Sequence, residues 1–149
     1  MGRIFVVASP SEMTPEQRSE IERDYGVRLP EGGRLASRHD IEAALAAHPD
    51  WQVEFRSGND WWTAFIRSPT RTASLSVERY SGDPARAHSF HFDTGDSELV
   101  ADVASAVAAR CGPFLVVDES ESVVVLVNPD GSRSDVGQES VGGSRPGGR

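Results

Sequence analysis

The chain has 149 residues, with 23 acidic and 15 basic side chains and a formal net charge of −8. A surplus of carboxylates repels phosphate backbones, which sets nucleic acid aside as a partner and suits encounter with a basic protein surface. A single cysteine, Cys111, excludes an internal disulfide and a cysteine-rich zinc site, and the lack of any lysine excludes lysine Schiff-base and P-loop chemistry.

Residues 3–8 (R-I-F-V-V-A) predict a strand buried on both faces, because the apolar run does not alternate. The run is far too short for a signal-peptide core or a membrane span, so a cytoplasmic chain without a membrane partner is expected. Thr14, Pro15 and Gln17 form a helix start: an N-cap, a proline at the first helical position and a capping-box partner. Gly26 is the expected stop. Only Ile21 and Tyr25 anchor this polar helix, which places it at the surface. A Pro/Gly loop at 29–33 follows. Ser37, with Asp40 three residues on, starts a second helix that carries Ile41, Ala44 and Leu45 to His48, where Pro49 ends it.

Strands come next. Trp51, Val53 and Phe55 alternate with Gln52, Glu54 and Arg56, as in a half-buried strand. A turn at 57–60 leads to a strand over 61–67, and Pro69 precedes another over 72–80, where Leu75 and Val77 face one way between serines. A further turn at 81–84 leads to a fourth strand over 87–93, with Phe90 and Phe92 on one face. This pattern predicts an antiparallel meander with one wet face. Asp96 or Ser97 then caps the most amphipathic helix, on which Leu99, Val103, Val107 and Cys111 recur every four residues before Gly112-Pro113 ends it. Two continuous apolar strands, 114–117 and 123–127, flank the acidic segment 118–122. From Asn128 onward almost nothing can be buried, and residues 128–149 read as a disordered tail.

Several residues invite a chemical reading. Ser89, His91 and Asp93 lie at alternate positions of one strand face and have the residue types of a hydrolase triad. Same-face positions are about 7 Å apart along a strand, and no nucleophile elbow precedes the serine, so the polar side of an amphipathic strand accounts for them. His88 and His91, three apart on a strand, point to opposite faces and cannot grip one ion. Cys111 sits on the apolar stripe at the C-terminal end of its helix, where burial and the helix dipole both oppose a thiolate. No catalytic residue and no metal ligand is assigned, and no cofactor is expected.

Binding signals are different. Trp61 and Trp62 are adjacent, so on a strand one enters the core and the other lies on the wetter face as a candidate interface anchor. Asp118, Glu119 and Glu121 place three carboxylates on a hairpin tip, a candidate patch for a basic partner.

The block S-F-H-F-D-T-G-D-S-E-L-V, the alanine-rich helix after it, C-G-P-F-L-V-V-D-E-S and V-V-V-L-V together resemble the C-terminal half of small bacterial immunity proteins, which partner polymorphic or contact-dependent toxins. The segment T-P-E-Q-R-S-E-I-E-R-D-Y-G-V-R-L-P resembles the opening helix and Leu-Pro of the SUKH immunity superfamily. The resemblance implies a cytoplasmic protein that neutralises a toxin by covering its active site. The expected fold is an α+β domain over 1–127: a mostly antiparallel sheet of about six or seven strands, with three helices packed on one face. The expected function is non-catalytic protein binding through Trp61, Trp62, Asp118, Glu119 and Glu121, with a basic toxin domain as the concrete partner. The alternative is a small hydrolase-like enzyme using the Ser89, His91 and Asp93 face.

Overall fold

The computed structural model of the chain describes residues 4–119 and 124–135. Strand β1 (Phe5–Ala8) leads through a short 3-10 turn to helix α1 (Pro15–Tyr25). The N-terminal signals of α1 are realised: Thr14 Oγ1 accepts from Gln17 N, Gln17 Oε1 accepts from Thr14 N, and Gly26 closes the helix in the left-handed region at φ 63°. A two-residue strand β2 (Ala36–Ser37) precedes α2 (Arg38–Ala46), again with a reciprocal capping box between Ser37 and Asp40. The meander follows as β3 (Gln52–Ser57), β4 (Trp61–Arg67) and β5 (Thr72–Glu78), then β6 (Ala87–His88) and β7 (His91–Gly95). Helix α3 (Ser97–Cys111), capped by Asp96, leads to β8 (Phe114–Asp118), β9 (Val124–Val127) and β10 (Arg133–Asp135).

Eight strands form one sheet in the order β10-β9-β8-β1-β7-β5-β4-β3, with every neighbouring pair antiparallel. The fold is α+β, with three helices. One face carries Phe5, Val7, Trp62, Ala64, Ile66, Leu75, Val77, Phe92, Phe114, Val116, Val125 and Val127, all buried in the main core with the apolar sides of α2 and α3. Helix α3 supplies Leu99, Val103 and Val107, each at 1% exposure or less, as the four-residue spacing demands.

The placement of helices on one face needs correction. Leu115, Val124 and Leu126 point away from α3 and form a second buried cluster with Leu29, against which Met13, Ile21, Tyr25, Val27 and Val117 pack. Helix α1 and the loop after it therefore lie on the opposite face, over β8 and β9. Three further expectations change. Residues 87–93 are two strands: β6 pairs with β2 in a separate ribbon, and Phe90 turns into the core, its ring 5.6 Å from that of Phe114. Strand β1 is buried on one face only, with Val6 exposed on the other. The chain also does not leave the sheet at Val127. A tight turn, in which Asn128 N–H donates to Ser132 O, returns residues 133–135 along β9, so 128–135 belong to the fold. The remainder of the expected tail, 136–149, lies outside the described residues.

A polar cluster ties α2 to the loop before it and to the end of α3. The Asp40 carboxylate receives two bonds from the Arg34 guanidinium (2.5 and 3.0 Å) and further bonds from Ser37 N and Oγ, with Arg110 Nε 3.5 Å away. Arg34 holds this carboxyl well below the usual carboxylate range, and the Ser37 donors reinforce it against the opposing effect of burial. Burial, then the charge of Asp40, pushes the Cys111 thiol up to about 11, which leaves this core cysteine unreactive.

Candidate binding face

Over β1, β7, β5, β4 and β3 no described helix lies on the face opposite α3. The register sets the residues in rows. Val117, Val6, His91, Ser76, Thr63 and Arg56 follow one another across six strands. A second row runs Thr94, Ser74, Phe65, Glu54, and a third runs Thr72, Arg67, Gln52. Trp61 stands opposite Glu78 at the hairpin end. Among the exposed large apolar residues on the strands of this face are Val6 (52%), Trp61 (42%) and Phe65 (42%). They are separated by small hydroxyl residues that sit low between them.

Trp61 owes its position to its neighbour across the hairpin. Gly58 N–H donates to Trp61 O at 2.9 Å, closing a two-residue turn. A Cβ on Gly58 would collide with the Trp61 indole, so the ring packs against the glycine backbone while remaining partly exposed. Trp62, in contrast, is fully buried against Tyr80 and Phe55 beneath the Arg38 guanidinium, 5.3 Å from its ring. Alternation decides between the two tryptophans. Trp62 shares its face with Ala64 and Ile66, and Trp61 shares its face with Thr63 and Arg67. Trp62 is therefore removed from the expected binding residues.

The acidic hairpin tip also changes. Asp118 is 1% exposed, because β8 runs one residue further than the apolar pattern suggests and pairs Asp118 with Phe5 of the central strand. Glu119 stays exposed, with its N–H bonded to Ile4 O at 3.0 Å. Glu121 lies outside the described residues.

A hydrogen-bonded chain crosses the middle of the open face. His91 Nε2 lies 2.8 Å from Asp93 Oδ1, and Ser76 Oγ donates to Asp93 Oδ2. With that proton committed, Thr63 Oγ1 donates to Ser76 Oγ at 2.8 Å. Glu78 Oε2 approaches the same His91 nitrogen at 3.5 Å. Ser89 takes no part: it is exposed in the link between β6 and β7. The serine that meets the pair comes from β5, and it bonds to the carboxylate. Hydroxyl–carboxylate–imidazole is not the hydroxyl–imidazole–carboxylate order in which histidine activates a serine. What the chain of bonds does is fix the rotamers of Asp93, His91, Ser76 and Thr63 into a rigid polar strip between Val6 and Trp61. Among the described residues no group of three or more His, Cys, Asp or Glu side chains is arranged to hold a metal ion.

At the far end of the face, Arg67, Thr72, Gln52, Glu54, Phe65, Ser74 and Thr94 line a shallow groove of about 360 Å³. Phe65 forms its apolar wall, and Arg56 stacks over the Phe65 ring at 5.3 Å while pairing with Glu54 at 3.1 Å. Phe65 and Val6 carry no signal as single residues. Period-two alternation from Trp61 reaches Phe65, but only strand order brings Val6 alongside. No described helix is long and apolar enough to cross a membrane. No protein-family model matches the chain, and neither a curated protein nor a solved structure matches it.

Proposed function

We propose that this chain is a non-catalytic protein-binding module that engages a basic protein domain through the open face, with Trp61 as the main anchor. One observation carries the reading: Val6, Trp61 and Phe65 stand about half exposed on strands of a sheet region that no described helix covers. Isolated exposed apolar residues are ordinary, but three on one flat, ordered face, around a fixed polar strip, have the composition of an interface core with polar surroundings. Aromatic residues held in place contribute most to such contacts, since little side-chain freedom is lost on binding. The net charge of −8 and the carboxylates of Glu78 and Asp93 favour a basic partner. The resemblance to immunity proteins supplies the specific candidate, a cytoplasmic complex with a bacterial toxin domain.

The test is co-expression with a toxin domain encoded beside the gene, followed by binding kinetics on the purified pair. Trp61→Ala should weaken the complex by about 2 kcal/mol or more and abolish protection, while Trp51→Ala, outside the face, should leave both intact. Rising salt should slow association more than it speeds dissociation. A complex indifferent to Trp61→Ala, Phe65→Ala and salt would sink the proposal.

A further inference from the structure

Strand β3 is one of the two edge strands of the described sheet, six residues long, and has no proline, lysine or bulge, its only charged residues being Glu54 and Arg56 on the open face. The hydrogen bond from Gly58 N to Trp61 O fixes the parity of the hairpin: Gly58, Arg56, Glu54 and Gln52 bond inward to β4. Val53, Phe55 and Ser57 therefore direct their N–H and C=O groups outward. We propose that this edge is a self-recognition site, through which two copies join β3 to β3 antiparallel about a two-fold axis at Phe55.

The sequence of β3 selects that register. Opposed residues in an antiparallel pair share a face, so only a few alignments are allowed. Centring on Glu54 sets glutamate against glutamate, and centring on Arg56 sets arginine against arginine. Centring on Phe55 sets Glu54 of each copy against Arg56 of the other, places the two Phe55 rings side by side, and matches Val53 with Ser57. The outward groups of those residues then meet as hydrogen-bonded pairs. Glu54 and Arg56 already pair within the strand at 3.1 Å, so the two copies would make a square of alternating charge on the open face. Phe55, 37% exposed on the other face beside Trp62 and Arg38, would gain an aromatic neighbour. The two-fold axis stands perpendicular to the sheet, so both open faces end on the same side. The dimer thus leaves Trp61 free, and it stands whether or not the proposed partner is right.

Sedimentation velocity on the full chain over a wide concentration range should show a reversible dimer. Glu54→Arg and Arg56→Glu, each alone, set like charges opposite one another twice per dimer and should raise the dissociation constant about tenfold or more. An equimolar mixture of the two variants restores both opposite-charge pairs and should dimerise as the wild type does. Val53→Pro removes an outward N–H without touching the β4 ladder and should abolish the dimer, with the circular dichroism spectrum confirming the fold. A wild type that stays monomeric at every concentration, or a dimer unmoved by these changes, overturns the assignment; so does a mixture of the charge variants that fails to reassociate.

Discussion

At the β8–β9 end of the sheet both strands are buried on both faces, by α3 on one side and by α1 with its following loop on the other. Toward the β3 edge no described helix lies on the second face: β4 alternates buried and exposed residues, β5 has small serines, Ser74 and Ser76, that are themselves buried there, and β3 is exposed on both faces apart from Val53. The two ends share one core and differ in what happens to their second face. Continuous valine and leucine runs need cover on both sides, whereas strict alternation needs cover on one. The open face is written into the hydroxyl and charged positions of β4 and β5 themselves.

The largest effect should come from the element common to both ends. Val103→Asp would bury an uncompensated charge where α3 crosses the sheet, and the protein should fail to fold cooperatively. A soluble variant with a sharp melting transition would show that this face of α3 is less confined than its zero exposure implies. The two ends can then be set against each other. Leu126→Ala, in the doubly covered end, should cost about 2–4 kcal/mol in urea denaturation. Phe65→Ala, on the open end, should cost less than about 1 kcal/mol while weakening the proposed complex. Equal losses at the two sites would erase the distinction.

Asp40→Asn probes the clamp between α2 and α3. It removes the charge that Arg34 and Ser37 satisfy and should cost about 1–3 kcal/mol near neutral pH. The Asp40 carboxyl titrates lower in the folded than in the unfolded chain, so its contribution is complete above the ordinary carboxylate range. It should be lost as pH falls below about 4, where the unfolded chain takes up the proton first. Denaturation from pH 7 downward should show a shallower acid slope for the variant than for the wild type. A modest effect is expected at the tail. Ending the chain at Val127 removes β10 and the ion pair between Arg133 and Asp102, and should lower the melting temperature by a few degrees, for about 1 kcal/mol. A chain ending at Asp135 keeps both features. Identical melting of the two truncations would show that β10 adds nothing.

Much of this molecule is legible from local chemistry. The capping boxes at Thr14 and Ser37, the stop at Gly26, the stripe of α3 and the alternation of β4 all depend on residues within a few positions of each other, so the sequence alone determined them. The same alternation also contained the choice between the tryptophans, because Ala64 and Ile66 belong with Trp62. The half-burial expected of β3, in contrast, is not realised, because as an edge strand it is exposed on both faces apart from Val53. Other features depended on partners distant in the chain. Only the pairing of β8 with β1 turned Asp118 from a loop carboxylate into a buried one, and only strand order set Val6 beside His91. Serine 76 met Asp93 because β5 and β7 are neighbours, although the chain between them makes a separate ribbon with β2. Polar residues 133–135 became a strand because β9 offered an open edge, and backbone hydrogen bonds need no apolar side chain to form. Local propensity specifies elements and the faces they bury. Which elements lie side by side is fixed only when the whole buried surface is assembled, and the candidate site is made of those meetings.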